Sequence, residues 1–351
     1  MSNSKLKLTF IIPAYNVEPY IEQCLDSLLM QTVQSHRVII VDDASTDETA
    51  NIAERYQKKH PEMFRVFRQK CNLGQGAARN RALQYVDTEY LTFLDSDDWL
   101  MPRFVEIVLK RLAAEEERPE IIFTLPRVFD MATQMNREWM DTALFHAVFP
   151  SLATVVNPDN DIRIYDLEVS ACRKVYLATF WKKYGFKFPE GVKWEDVPPH
   201  FLSLHEAKRC IGEPRVGFYY RVNNASQTTS STGKNRIQTV SVFADLLRQA
   251  LVSGWKNEEL FRIMHLSLVF FKWSMDCISV KYRKDLINRI HQFYRCIPKK
   301  FLQDYFVSCY VTSRDKLWIK ILRSMFYIIF ADPFTYKNAK KVLSKVYSKR
   351  K

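Results

Sequence analysis

The sequence predicts an α/β fold, a mostly parallel sheet flanked by helices, followed by a mostly helical C-terminal domain. Two observations carry this. Through the first third of the chain, short β-rich runs alternate with longer amphipathic segments. From Ile237 onward, helical spacing dominates and strand patterns nearly vanish.

Leu8, Thr9, Phe10, Ile11 and Ile12 form an unbroken β-prone run, as a strand buried on both faces requires. Residues 20–31 then space Ile21, Cys24, Leu25, Leu28 and Leu29 along one helical face, and Val38, Ile39, Ile40 and Val41 make a second strand. Ser45-Thr46-Asp47-Glu48 reads as a capping box opening a helix that runs to about Lys59. Segments 64–68, 75–85, 90–94 and 102–112 continue the alternation, and Ile121, Ile122 and Phe123 begin another strand. The pattern weakens through 130–185. Beyond it, Val240, Phe243, Leu246, Leu247 and Leu251 follow helical spacing. A boundary near 230–233 gives one domain over 1–233, with halves of about 1–120 and 121–233, and a second over 234–351.

A chain of 351 residues has room for a sizeable core and two domains. The seven cysteines are scattered, with no Cys-x-x-Cys pair or matching histidine spacing, which disfavours structural zinc and fits a reducing compartment. The apolar run at 8–12 is too short for a signal peptide, and no run approaches the roughly 18 apolar residues of a membrane-spanning helix. The expected location is cytoplasmic, or peripheral on the cytoplasmic face of a membrane.

The net charge of +13 is unevenly spread. Residues 1–120 carry 15 Lys and Arg against 19 Asp and Glu, 121–233 carry 13 against 12, and 234–351 carry 24 against 8. A basic excess confined to the C-terminal domain disfavours nucleic acid at a site in the first third and points to an anionic surface or partner.

Ligands of an open parallel sheet bind beyond the carboxyl ends of its strands. Here those ends read Pro13-Ala14-Tyr15-Asn16, Asp42-Asp43-Ala44-Ser45 and Asp95-Ser96-Asp97-Asp98, which crowds five carboxylates onto one rim. Crowding of that kind needs protons, backbone donors or a cation to offset it. Asp95 and Asp97 project to the same side of an extended chain, as oxygen ligands for Mg²⁺ or Mn²⁺ with positions left for phosphate oxygens. The alternative is a purely structural turn, and Asp98 is read as the cap of the helix that begins at Pro102. Asn72-Leu73-Gly74-Gln75-Gly76-Ala77-Ala78-Arg79-Asn80 adds a glycine-bearing turn into a helix, where Arg79 can meet a phosphate or a base. It lacks the Gly-Lys-Ser/Thr ending of a P-loop and the Gly-x-Gly-x-x-Gly of a dinucleotide fold.

Pro13-Ala14-Tyr15-Asn16, Val41-Asp42-Asp43-Ala44-Ser45-Thr46-Asp47, Asn72-x-Gly74 with Ala78-Arg79-Asn80, and Leu94-Asp95-Ser96-Asp97-Asp98-Trp99, in that order, resemble the inverting family 2 glycosyltransferases of GT-A fold. The resemblance spans residues 8–112 and, more loosely, 185–228. It implies that Pro13, Tyr15, Asp43, Asn72, Arg79 and Asp95 serve the nucleotide, with Tyr15 on the base and Asp43 accepting from the base edge. It also implies that Asp97, with Asp95, holds Mn²⁺ or Mg²⁺. Within Glu190-Gly191-Val192-Lys193-Trp194-Glu195-Asp196, Asp196 corresponds to the general base and Glu195 to its neighbour; the competing reading is an exposed acidic turn. Arg221 and Ser226 would close over the donor.

The resemblance therefore implies transfer from a nucleotide-sugar, a UDP-sugar by default, to a hydroxyl of a glycan or lipid-linked glycan in surface polysaccharide synthesis. The alternatives are a sugar nucleotidyltransferase and a non-catalytic membrane scaffold. In the tail, Lys316, Lys320 and Arg323 share one helical face beneath an apolar remainder, which fits either an anionic membrane surface or docking on the first domain.

Overall fold

The computed structural model describes residues 7–223, 232–308, 310–313, 315, 316 and 319. Two compact units divide at residues 227 and 228.

In the first unit, β1 (Leu8–Ala14), β2 (His36–Asp42), β3 (Phe64–Arg68) and β4 (Tyr90–Phe93) pair in parallel in the order β3-β2-β1-β4. Every residue of β1 and β4 is buried, which explains why these strands read as apolar runs without alternation. Parallel neighbours need crossovers, and α1 (Glu18–Leu29), α2 (Thr49–Lys59) and α3 (Gln75–Leu83) supply them. β5 (Trp99–Leu100) and α4 (Phe104–Ala113) complete the first half.

The second half adds β6 (Ile121–Asp130), β7 (Met135–Glu138), α5 (Thr142–Val148), β8 (Val155–Val156), β9 (Lys174–Leu177), α6 (Ala178–Tyr184), α7 (Val197–Glu206) and β10 (Cys210–Val222). β9 inserts antiparallel between β4 and β6, so the sheet runs β3-β2-β1-β4-β9-β6-β10-β5, with β7 on β6 and β8 on β10. β6 and β10 return to parallel pairing. The expected parallel α/β sheet is present with helices alongside, and β9 is the strand that the weak pattern through 130–185 conceals.

Two expected caps are formed differently. α2 begins at Thr49, and the Thr49 N–H is met by Asp47 Oδ1 at 3.0 Å; Ser45 Oγ instead accepts from the Asn16 N–H at 3.0 Å. α4 begins at Phe104 with no side-chain cap, because Asp98 turns inward to accept from the Arg221 N–H at 2.8 Å.

The second unit is helical: α8 (Gln238–Val252), α9 (Asn257–Cys277), α10 (Val280–Cys296) and α11 (Lys299–Val307). Phe271 on α9 is at its centre, edge-on to Phe243 at 6.0 Å and to Phe293 at 5.1 Å. The spacing of Val240, Phe243, Leu246 and Leu247 becomes the buried face of α8. No helix among the described residues is long and apolar enough to cross a membrane. The basic stretch over 317–330, apart from Ile319, lies outside the described residues.

His36, at the start of β2, is 2% exposed and lies edge-on to the Phe10 ring at 5.5 Å. Burial lowers its pKa from 6.5 to about 4. Between those values the unfolded chain binds the proton and the folded chain does not, so this contribution to stability is full above about pH 6.5 and is lost as the pH falls toward 4. From pH 7 to pH 5, urea unfolding of wild type is expected to lose about 2 kcal/mol more than that of His36→Phe. Equal losses in the two proteins would remove His36 as the cause.

Candidate active site

β1, β2 and β4 end on one rim. Pro13 is buried inside β1, and because the pairing of β1 with β4 stops at Ile11, its missing N–H removes no rung of the ladder. Tyr15, just past the strand, is 44% exposed and presents an open aromatic face. The neighbouring turns lend each other side chains: Asn16 Oδ1 accepts from the Thr46 N–H at 2.8 Å, and Asp47 Oδ2 from the Glu18 N–H at 3.1 Å. Asn16 and Ala44 hold left-handed backbone at φ 49° and 61°, positions these bonds over-determine.

Asp43 is 3% exposed, and its carboxylate is taken up by the chain. Oδ1 accepts from Gln69 Nε2 at 2.6 Å and from the Leu73 N–H at 2.8 Å, and Oδ2 accepts from the Gly74 N–H at 2.7 Å. The residue expected to meet the base anchors the loop that carries exposed Asn72. Gly74 has φ 89°, a conformation that disfavours a side chain, at the point where this loop enters α3.

Arg79 on α3 is 1% exposed. Nη1 donates to Asp196 Oδ1 at 2.7 Å and to Glu195 Oε1 at 2.8 Å, and Nη2 donates to Asp95 Oδ1 at 2.8 Å. Its guanidinium carbon lies 5.1 Å from the centre of the Phe188 ring and 5.8 Å from that of Phe93. The guanidinium expected to meet the nucleotide is bonded internally to three carboxylates and walled by two aromatic rings. Burial works against its charge, and Asp196, Asp95 and Glu195 more than restore it.

Arg221 also departs from its expected role. It is 5% exposed within β10, with Nε donating to the Asp97 carbonyl at 2.6 Å and Nη2 to Gln23 Oε1 at 2.7 Å. Its guanidinium carbon is 4.6 Å from the ring centre of Trp99 and 4.9 Å from that of Tyr20. A side chain so placed is a strut behind Asp97 and Asp98. Its proposed companion Ser226 lies outside the described residues.

The Glu195–Asp196 segment is docked against α3. Asn80 Nδ2 donates to the Phe188 carbonyl at 2.8 Å and to Glu190 Oε1 at 2.9 Å, and Asn80 Oδ1 accepts from the Phe188 N–H at 2.9 Å. Gly76 passes so close that an added Cβ would lie 2.2 Å from the Pro189 carbonyl oxygen. Trp194 then takes left-handed backbone at φ 68°, rare for so bulky a residue, immediately before the acidic pair. Gly76 and Pro189 as a contact have no local sequence signal, because they meet only in the tertiary fold.

Of the acids on this rim, Asp95 and Asp196 keep side-chain exposures of 21% and 20%, while Glu195 keeps 6%. Burial, with Asp196 adding to it, raises the Glu195 pKa to about 7; burial raises that of Asp196, with Arg79 opposing. Asp98 is pushed well up by burial and then by the charges of Asp97 and Asp95. The thiols of Cys24 and Cys172 are likewise raised by burial and stay protonated. No group of three or more potential ligands gathers at one point among the described residues.

Residues 9–160 match the family model described as glycosyl transferase family 2. The poly(ribitol-phosphate) beta-glucosyltransferase of Bacillus spizizenii is 40% identical over 228 residues, 64% of this chain and 34% of that protein. Across three curated glycosyltransferases that it matches, the chain spans from 15% to 62% of their lengths. Residues 1–349 of TarS from Staphylococcus aureus, solved with UDP-GlcNAc, share the fold with a TM-score of 0.74 at 20% identity, over 98% of this chain and 92% of that one. A mannosyltransferase from Pyrobaculum calidifontis, solved with GDP-Man and Mn²⁺, gives a TM-score of 0.53 at 17% identity, over 94% of this chain and 86% of that one.

Two substitutions test this geometry. Arg79→Met strands three acids and is expected to cost about 3–5 kcal/mol in urea unfolding; an unchanged midpoint with a raised KM for the donor would instead make Arg79 a nucleotide ligand. Gly76→Ala pushes the segment through Pro189 off α3 and is expected to lower kcat at least about tenfold while leaving the far-ultraviolet circular dichroism intact. Wild-type turnover in that variant would show that the segment's seat on α3 does not matter.

Proposed function

Residues 9–160 belong to the family 2 glycosyltransferases, and from that premise we propose that the chain is an inverting, metal-dependent glycosyltransferase. It moves a sugar from a UDP-sugar to a hydroxyl of a glycan acceptor in surface polysaccharide synthesis. The observation that carries this reading is the convergence of Asp95, Glu195 and Asp196 on Arg79 beside the Tyr15 rim. That arrangement brings a diphosphate-side acid and a proton acceptor to one place. The UDP-GlcNAc bound by TarS and the poly(ribitol-phosphate) named for the Bacillus spizizenii enzyme support the donor and acceptor classes.

Inversion needs one displacement. The acceptor oxygen bonds to the anomeric carbon as the bond to the UDP oxygen breaks, and the hydroxyl proton passes to a carboxylate. Asp196 takes that proton. It is more exposed than Glu195, and burial raises its pKa above the usual carboxylate value. Glu195 stays behind it on the same guanidinium nitrogen. Tyr15 packs on the base, and Asp43 acts on the nucleotide by holding Asn72 and Gly74 in place.

Asp97 and Asp95 are partly exposed carboxylates two residues apart, a hard-oxygen pair that fits Mn²⁺ or Mg²⁺ and would leave positions for diphosphate oxygens. Asp97 is the principal ligand, with Asp95, whose Oδ1 also accepts from Arg79, beside it. When bound, the ion neutralises the charge that develops on the leaving diphosphate.

UDP release from a panel of UDP-sugars is expected to stop on chelation, to return with Mn²⁺, and to fall at least about a hundredfold in Asp97→Ala. Unchanged release in Asp97→Ala would sink the metal assignment, and inorganic pyrophosphate as the product would replace glycosyl transfer by nucleotidyl transfer.

A further inference from the structure

Gln75 opens α3 between two glycines and is half-buried. Its Nε2 donates to Asp95 Oδ1 at 3.3 Å, and one turn along the helix Arg79 Nη2 donates to the same oxygen at 2.8 Å. A carboxylate only accepts, so the bond itself fixes which end of the Gln75 amide faces Asp95. The backbone of Asp95 is held as well. Its carbonyl accepts from the Asp98 N–H at 3.0 Å and from Cys24 Sγ at 3.8 Å, and the preceding Leu94 N–H donates to the Ile11 carbonyl at 3.1 Å. Among the described residues both side-chain donors to Asp95 meet Oδ1, and none meets Oδ2.

We infer that Gln75 is a positioning residue for the metal site: with Arg79 it holds Asp95 Oδ1 inward, so that Oδ2 is the oxygen left for a divalent cation. That role rests on Asp95 and Asp97 as the ligands of Mn²⁺ or Mg²⁺. The torsion about the Cβ–Cγ bond of an aspartate is soft, and one bond to one oxygen leaves the carboxylate free to swing about that contact. Two donors from successive turns of one helix remove the freedom. The two are not interchangeable. Arg79 also holds Glu195 and Asp196, so its loss strands three acids, whereas Gln75 is neutral and its side chain donates to Asp95 alone. The start of α3 is fixed in turn, because Asp43 Oδ2 accepts from the Gly74 N–H at 2.7 Å and Gly76 lies against Pro189. A line of contacts thus runs from the end of β2, through the first residues of α3, to the acid that follows β4.

The test titrates Mn²⁺ into the full chain with UDP present and no acceptor, reading free Mn²⁺ by electron paramagnetic resonance and the melting temperature alongside. Gln75→Leu keeps the bulk and removes the donor, whereas Gln75→Ala removes both. Each is expected to weaken Mn²⁺ binding about tenfold at an unchanged melting temperature, as loss of a group that orients a metal ligand does. Asp95→Ala is expected to weaken binding at least as much. Gln75→Leu added to Asp95→Ala is expected to have no further effect, because the glutamine acts only through that carboxylate.

Wild-type Mn²⁺ affinity in both Gln75 variants, with binding lost in Asp97→Ala, overturns the positioning role alone. A further loss in the double variant would show Gln75 acting on the ion or the nucleotide directly, and overturns it too. Weaker binding that comes only with a matching fall in melting temperature makes Gln75 a structural residue. Wild-type Mn²⁺ affinity in Asp97→Ala overturns the metal reading, and the role of Gln75 with it. If Asp95→Ala binds too weakly for the double variant to be read, the single Gln75 variants decide. Should Gln75→Leu not fold, Gln75→Ala takes its place.

Discussion

One buried guanidinium sets the geometry on which the rest of the site depends. Arg79 reaches 16 residues along the chain to Asp95 and 116 and 117 residues to Glu195 and Asp196. Those segments leave different elements, so nothing local fixes their separation. The planar fork of Arg79 fixes it, because its nitrogens hold their acceptors at set angles. The aromatic rings of Phe93 and Phe188 keep water from the fork and raise the cost of leaving any partner unmet. Three acids on one cation still leave the rim negative, which favours a further cation beside it.

The same economy recurs around the rim. Asp43 shapes the Leu73 and Gly74 loop, Asp47 serves both the Thr49 N–H of α2 and the Glu18 N–H of α1, and Asp98 ties the turn after β4 to β10. Most acids that look catalytic by type therefore hold backbone. What distinguishes Asp95, Asp97 and Asp196 is that they remain partly exposed while their neighbours are consumed.

The parallel block was legible because its strands are buried on both faces and so appear as apolar runs, and the rim followed from knowing where such strands end. Ordered motifs from Pro13 to Trp99 carried the family. Other features lay beyond local pattern. Whether an arginine faces ligand or interior depends on what packs over it, and Arg79 and Arg221 are covered by segments that the sequence places far away. β9 is hidden because Lys174 opens a four-residue strand, where the short run Val175, Tyr176 and Leu177 offers no alternation. The Gly76 contact with Pro189 has no periodicity at all.

That late strand carries a consequence for how the chain is made. β4 is bonded on one side by β1 and on the other by β9, and β6 awaits β9 and β10. A nascent chain that has emerged only through residue 120 presents β4, all of whose residues the finished fold buries, as a bare edge. Synthesis must continue for more than fifty residues, to the end of β9 at Leu177, before that edge is covered. The interval exposes a sticky strand on the ribosome, and any lesion that delays or truncates the second half should be read out as aggregation before it is read out as lost chemistry.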